Sequence, residues 1–362
     1  MNHRIMKIGI IFPRDSEAIF DNTSFKTFGG ATVQMFTIAN ALAIKNGYEI
    51  ICFTPKIHNK SAIQGTSMRI LDIFNRNRVG INTLLLFLGY IIIERPNVII
   101  QHGLTLSSCL FSLCCKILRI KYVFMFASDV EVEGKYQSSQ KKCYLFNILI
   151  RTATILVTQN KYQKDYLLNT KKSKSILIRM GFQLRKPKTI TRENILWIGR
   201  CAKEKQPEIF MEIAKKFSDY KFVMVCPKED EVYFKNIKER AKTIANLIFI
   251  DFVNFKDTWG YFEEAKIFIN TSFSEGFPQT FAQSVVCGVP IISLKVNPDN
   301  FITNYNCGFV CDDNVDLLGF NLKTIMENRA CYNRILENSL LYAQKYHDID
   351  KNVTDIINAI KQ

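Results

Sequence analysis

Short apolar runs punctuate the first half of the chain: Ile8–Phe12, Glu49–Phe53, Val98–Ile100, Tyr122–Phe126, Ile155–Val157 and Ser175–Ile178. The stretches between them are long enough for crossover helices, which is the signature of a parallel sheet covered on both faces. Residues 31–46 supply one such helix: Val33, Phe36, Ala39, Leu42 and Ala43 fall at helical spacing, and Asn46-Gly47 is a stop signal. A polar, basic run from Leu184 to Glu193 interrupts the alternation, which restarts at Ile195–Ile198 and continues through Phe222–Cys226, Leu247–Ile250, Ile267–Asn270 and Pro290–Leu294. Helices are expected near 207–217, 231–243, 258–264 and 279–287, and the last stretch, 333–361, reads as helix. The pattern predicts an α/β chain of two doubly wound, Rossmann-like domains, 1–185 and 194–345, joined by a linker at 186–193.

A length of 362 residues fits two cores. With 48% hydrophobic and 22% charged residues, 16 Gly and 9 Pro, the chain is neither disordered, collagenous nor coiled-coil. Its 48 Lys and Arg against 33 Asp and Glu give +15, which favours an anionic partner: nucleic acid, a phosphorylated small molecule or an acidic membrane surface. A nucleic-acid binder would need clustered basic and aromatic residues or a known module, and none appears. Eleven cysteines, no C-x-x-C pair and four histidines argue against a disulfide framework and a zinc site. Cys114 and Cys115 read as core thiols in a reducing cytoplasm. Neither a signal peptide nor a transmembrane helix is expected: Met6–Phe12 meets Pro13, Arg14 and Asp15, Leu84–Ile93 is too short to span, and Leu104–Ile120 carries serines and Lys116.

Three segments could carry chemistry. Phe28-Gly29-Gly30-Ala31 follows the first strand and opens the first long helix; its glycines let backbone N–H groups approach a phosphate at the positive end of a helix dipole, or form an ordinary turn. Trp197-Ile-Gly199-Arg200-Cys-Ala-Lys-Glu-Lys205-Gln-Pro207 is a strand end, a glycine and cations ahead of a helix that Pro207 can begin. At the carboxyl end of a strand, an Arg fork and a Lys point charge suit a diphosphate, with a solvated loop as the alternative. In the third, Asn270 to Pro290, strand, acidic loop, helix and glycine stop form one unit: Glu275, Gly276, Phe277 and Pro278 precede the free first-turn amides of Gln279 and Thr280. Phe281, Ala282, Val285 and Val286 supply the buried stripe and leave Gln279 and Gln283 on another face. Glu275 as a mere helix cap and Gln283 as a solvated residue are the alternatives.

In order and spacing, the Gly-Gly turn, the Gly-Arg…Glu-Lys loop and the Glu-Gly-Phe-Pro…Cys-Gly-Val-Pro segment resemble family 4 retaining glycosyltransferases of the GT-B fold, of the type that assembles bacterial surface polysaccharides. The resemblance implies two domains facing across a cleft, an N-terminal one for the acceptor and a C-terminal one for a nucleotide-sugar donor, with residues 346–362 returning to the first as a helix. It implies that Arg200 and Lys205 hold the donor diphosphate, that Glu275 lies beside the transferred sugar with Gly276, Phe277 and Pro278, and that Gly29 and Gly30 close over the phosphates. The family's second acid, which grips the ribose, is here Gln283, and its His-Asp is Ser128-Asp129 in Phe126-Ala127-Ser128-Asp129. A neutral amide at Gln283 forfeits the charge-assisted part of a ribose bond, about 1 kcal/mol. His102, Ser128 and Asp129 lie on the cleft side and are candidate acceptor or sugar contacts, with structural roles as the alternative.

The reaction so implied is hexosyl transfer with retention, in which the leaving phosphate takes the acceptor's proton and no metal or other cofactor is needed. The partners expected are a nucleotide-sugar and a lipid-linked saccharide. Apolar residues 81–95, with Arg76, Arg78 and Arg95 around them, suit peripheral docking on the anionic inner face of the plasma membrane, or else form a core helix. A sugar-nucleotide epimerase of the same fold and a non-catalytic partner subunit are the alternatives, the second favoured by Ser128 and Gln283 and opposed by Arg200, Lys205 and Glu275.

Overall fold

The computed structural model describes residues 5–21, 28–58, 63, 66–74, 81–134, 140–186 and 192–362. The chain forms two compact units, Met1–Gly181 with Ile349–Gln362, and Phe182–Asp348. Each is a doubly wound parallel α/β domain, as the alternation predicts.

The first unit holds strands β1 (Met6–Ile11), β2 (Tyr48–Pro55), β3 (Met68–Phe74), β4 (Val98–His102), β5 (Lys121–Met125), β6 (Ile155–Thr158) and β7 (Ile176–Leu177), in sheet order β3-β2-β1-β4-β5-β6-β7. Every neighbouring pair is parallel; Ile8, for instance, lies opposite Ile50 and Val98. Strand β3 was not expected: it is an edge strand whose Arg69 and Asp72 break the apolar run. Its Arg69 pairs with Glu49 and Glu94. One sheet face is covered by helices Ile81–Glu94 and Leu106–Ile117, pinned by Phe87 and Phe111, whose rings are 4.1 Å apart over the buried Phe53 and Phe124. Each such ring contributes about 1.5–3 kcal/mol of burial. Helix Gly30–Ala43 packs beside helix Ile349–Lys361.

The second unit holds β8 (Asn194–Ile198), β9 (Phe222–Val225), β10 (Leu247–Ile250), β11 (Ala265–Asn270), β12 (Ile291–Ser293) and β13 (Gly308–Val310), ordered β10-β9-β8-β11-β12-β13. In both sheets the order reverses once, between β1 and β4 and between β8 and β11. The loops leaving those strands lie at each sheet's carboxyl edge, where open α/β sheets bind their ligands.

Two details depart from expectation. The chain passes from one unit to the other between Gly181 and Phe182, not in the polar run 186–193, because Phe182 donates its N–H to the His347 carbonyl and packs on Trp259 at 5.0 Å. Arg185, beyond it, stacks on Trp259 and pairs with Glu263 at 2.6 Å; residues 187–191 lie outside the described ones. The single helix expected at 333–361 is two, Arg329–Tyr346 and Ile349–Lys361, broken at His347-Asp348, where Asp348 bridges to Phe182. The second helix belongs to the first unit, where Asn352 Nδ2 donates to the Arg179 carbonyl at 2.7 Å.

Candidate functional site

In the second unit the loops that follow β8 and β11 meet at the point where the sheet order reverses. Gly199 continues the sheet, donating to the Val225 carbonyl, and Cys201 donates to Pro227, so Arg200 projects from a chain still held by its neighbour. A short 3₁₀ turn, Lys203–Lys205, then brings the chain to Gln206, whose φ of 47° is left-handed in a non-glycine residue. Pro207 starts helix Pro207–Lys216 immediately after. Such a strained backbone persists only where its surroundings hold it. Those surroundings are the loop after β11: Thr271 Oγ1 donates to the Lys205 carbonyl at 2.6 Å and accepts from Trp197 Nε1 at 2.9 Å, and Phe273 N–H donates to the Glu204 carbonyl at 2.8 Å.

This stitching brings Lys205 and Glu275 together. Lys205 Nζ is 2.8 Å from Glu275 Oε2, with both side chains about five-sixths buried at 16% and 17% exposure. Glu275 Oε1 accepts from Ser272 Oγ at 2.6 Å and Asn270 Nδ2 at 3.4 Å. The carboxylate is therefore held on both oxygens and does not cap the helix that follows. Arg200 is half-exposed and pairs with Glu229 at 2.6 Å. Helix Gln279–Val286 begins after Pro278 with no side-chain cap, so the amides of Gln279 and Thr280 remain available to an anion. Gly288, at φ 65°, ends the unit as the sequence suggests.

Two expected contacts take another form. Gln283 is 2% exposed and donates to Thr258 Oγ1 at 3.2 Å, so it is not solvated, and it leaves Gln279 half-buried on its own. The Phe277 ring stacks on Phe301 at 5.4 Å and lies 5.2 Å from the His347 ring. What residues 276–278 offer a ligand is therefore mainly backbone. Asn270, Thr271 and Ser272 carry the site's internal bonds without having been assigned any role in the sequence; a cluster of polar side chains straight after an apolar strand was the available signal.

In the first unit Gly29 and Gly30 do stand at the start of helix Gly30–Ala43, but that start is occupied. Asp15 accepts from Gly29 N–H at 2.6 Å and from the Thr32 hydroxyl, placing a carboxylate at the positive end of the dipole. His102 is 5% exposed; its Nε2 lies 2.8 Å from Gln159 Nε2 and 3.2 Å from the Phe126 carbonyl, and burial holds its pKa down at about 4. Ser128 caps helix Asp129–Glu133 through the Glu131 N–H, and Asp129 accepts from Asn160 and Gln163. These bonds give His102, Ser128 and Asp129 structural partners at the carboxyl ends of β4 and β5. Glu131, which the sequence groups with Asp129 and Glu133 as a possible sugar neighbour or part of a solvated loop, is buried with its pKa raised by that burial, and accepts from Leu104 and Ala127 N–H groups. The described cysteines are free thiols, Cys115 fully buried and Cys114 partly so.

A lysine–carboxylate pair, an arginine and an uncapped helix start thus stand on the loops that follow β8 and β11, at the point where the sheet order reverses. Residues 182–341, nearly all of the second unit, match the family of glycosyl transferases group 1. The chain is 24% identical over 142 residues to an uncharacterized glycosyltransferase of Haemophilus influenzae, covering 38% of this chain and 40% of that one. It thus spans well under half the length of that relative. Sucrose-phosphate synthase of Thermosynechococcus elongatus superimposes with a TM-score of 0.76 at 14% identity, covering 99% of this chain and 98% of that one. HepE of Anabaena, in complex with UDP, does so with a TM-score of 0.73 at 13% identity, covering 98% and 99%. At these identities the likeness is one of fold, and the fold is GT-B.

Proposed function

We propose that the protein is a retaining, family 4-type glycosyltransferase that moves a hexosyl group from a nucleoside-diphosphate donor to a lipid-linked saccharide in surface-polysaccharide assembly. The observation that carries this reading is the Lys205–Glu275 pair at 2.8 Å, which joins the two loops that also carry Arg200 and the uncapped start of helix Gln279–Val286. As the bond to the anomeric carbon breaks, negative charge grows on the leaving phosphate and positive charge on the sugar ring. Arg200, Lys205 and the amides of Gln279 and Thr280 meet the first; the Glu275 carboxylate meets the second. The four cationic or dipolar groups do what a divalent ion does elsewhere, so transfer proceeds without metal. The leaving phosphate itself takes the acceptor proton on the same face of the sugar. Gln283, 2% exposed, reaches the ribose only through its amide. UDP in the HepE complex supports a nucleoside-diphosphate ligand. A lipid-linked acceptor puts the reaction at the cytoplasmic face of the plasma membrane.

The test is a thermal-shift screen of UDP, GDP and ADP and their sugar conjugates with chelator present, because a ligand of the folded state raises apparent stability. The stabilising conjugate is then supplied with lipid-linked oligosaccharides and the product's anomeric configuration read by NMR. No shift with any nucleotide, or an inverted product, overturns the proposal.

A further inference from the structure

Helices Ile81–Glu94 and Leu106–Ile117 lie side by side on one face of the first unit's sheet, and both turn an apolar side outward. Thr83, Phe87 and Ile91 of the first helix face the sheet, while Ile81, Leu85, Leu86, Ile92 and Ile93 are 74%, 58%, 47%, 55% and 75% exposed. Asn82 and the Tyr90 hydroxyl are the polar groups that share that face, and no charge occurs in the helix before Glu94. An open depression of ≈ 560 Å³ runs along it, lined by Asn82, Leu85, Leu86, Gly89, Tyr90 and Ile93. Gly89 is its floor: nothing lies within 4 Å of where a Cβ would stand. The neighbouring helix repeats the pattern: Leu106, Leu113 and Ile117 recur at helical spacing on its outer face, 61%, 39% and 71% exposed. Contiguous apolar surface of this kind marks an interaction site.

Charge identifies the partner. The first unit carries 26 Lys and Arg against 12 Asp and Glu, a net +14. The second carries 22 against 21, a net +1, so almost all of the chain's +15 resides in the unit with the apolar helices. Exposed cations edge the apolar face, with Arg95 just past the first helix and Lys116 and Arg119 at the end of the second. Arg76 and Arg78 lie outside the described residues. Among the described residues no helix is long and apolar enough to cross a membrane. We infer that this two-helix face seats the protein on an anionic lipid bilayer, its aliphatic side chains entering the acyl boundary while Arg95, Lys116 and Arg119 meet lipid phosphates. A protein partner would explain the apolar face, but not a charge excess confined to one unit. The inference deepens the reading of a lipid-linked acceptor, yet vesicle binding needs neither donor nor transfer, so the two fail separately.

The full chain would be floated with vesicles of phosphatidylcholine alone and of equimolar phosphatidylcholine and phosphatidylglycerol. The expected result is binding to the anionic vesicles, weakened by salt. Lys116→Glu with Arg119→Glu should lower the partition coefficient at least about twentyfold, at roughly fivefold per basic residue. Leu85→Gln with Ile93→Gln should lower it at least about tenfold. Both pairs lie on exposed surface, and an unchanged melting temperature and nucleotide-induced shift verify their fold. No binding by the parent, or variants that bind as the parent does, overturns the inference. So does a parent that is dimeric in solution and becomes monomeric with Leu85→Gln and Ile93→Gln, which assigns the face to a second copy of the chain.

Discussion

Replacing Glu275 by Gln separates a role in chemistry from a role in architecture. The amide keeps the shape and one acceptor for Ser272 Oγ, but removes the charge that Lys205 Nζ faces at 2.8 Å. Exposed ion pairs contribute about 0–1 kcal/mol, and breaking fully buried ones costs about 3–5. With both side chains about five-sixths buried, the variant should lose about 1–2 kcal/mol, a fall in melting temperature of roughly 2–8 °C. Nucleoside-diphosphate affinity should stay within about threefold of the parent or tighten, because Lys205 is released from its internal partner and a like charge near the phosphates is gone. Turnover should fall about 10²–10³-fold, the scale seen when a transition state is deprived of one preorganised electrostatic partner. Calorimetric titration of the nucleotide and donor turnover at saturating acceptor measure the two quantities. A dissociation constant that weakens in proportion to turnover refutes the reasoning, since Glu275 would then only be organising the loop.

Arg200→Ala and Lys205→Ala should each cost about 2.7–4 kcal/mol of transition-state stabilisation, and the double variant less than their sum because both act on one diphosphate. Activity should persist in excess chelator; chelator-sensitive transfer, or a double variant near the parent rate, contradicts the cationic mechanism. His102, whose pKa burial holds at about 4, binds a proton in the unfolded chain first, so stability should fall as pH drops from about 6.5 to 4. Its share is about 3 kcal/mol, partly masked near pH 4.5 and above by Glu131, whose raised pKa acts in the opposite direction. Urea unfolding of His102→Gln should show a flatter pH dependence, and an unchanged slope contradicts the assignment. Gln283→Glu leaves a carboxylate in a 2% exposed site bonded to Thr258, so it should destabilise the apo protein while improving nucleotide affinity; unchanged affinity removes Gln283 from the ribose.

The strands were legible where both faces are buried. Ile8, Ile50, Val98 and Phe268 sit in central strands with apolar neighbours on each side, so composition alone marks them. The edge strand Met68–Phe74 was missed because Arg69 and Asp72 break its apolar run, Gly308–Val310 because three residues are too few to show a pattern, and the terminal helix break because its cause is a tertiary bond from Phe182 to His347. At the site, Arg200, Lys205 and Glu275 stood out as charges beside glycine and proline at strand ends. Their pairing did not. It depends on Thr271 and Phe273 holding a left-handed Gln206 in place across 66 residues of sequence, which no local pattern encodes. The Asp15 carboxylate at Gly29 was hidden for the same reason, being on the far side of a 14-residue separation.

In the proposed donor site that pairing also bears on how a diphosphate would enter. In the free chain each cation already has a carboxylate: Lys205 has Glu275, and Arg200 has Glu229. An incoming anion therefore exchanges partners instead of meeting bare charges, and gains only the difference between its own contacts and those displaced. A monoanion such as inorganic phosphate at low pH has little to offer in that exchange. A diphosphate brings two or more charges that can engage Arg200, Lys205 and the uncapped helix start of Gln279–Val286 together. The proposed site therefore predicts selectivity for diphosphate over phosphate from cations that are paired at rest, and ready release, because Glu229 and Glu275 are positioned to reclaim Arg200 and Lys205. Removing Glu229 should therefore tighten binding of inorganic phosphate more, in fold terms, than binding of the nucleoside diphosphate.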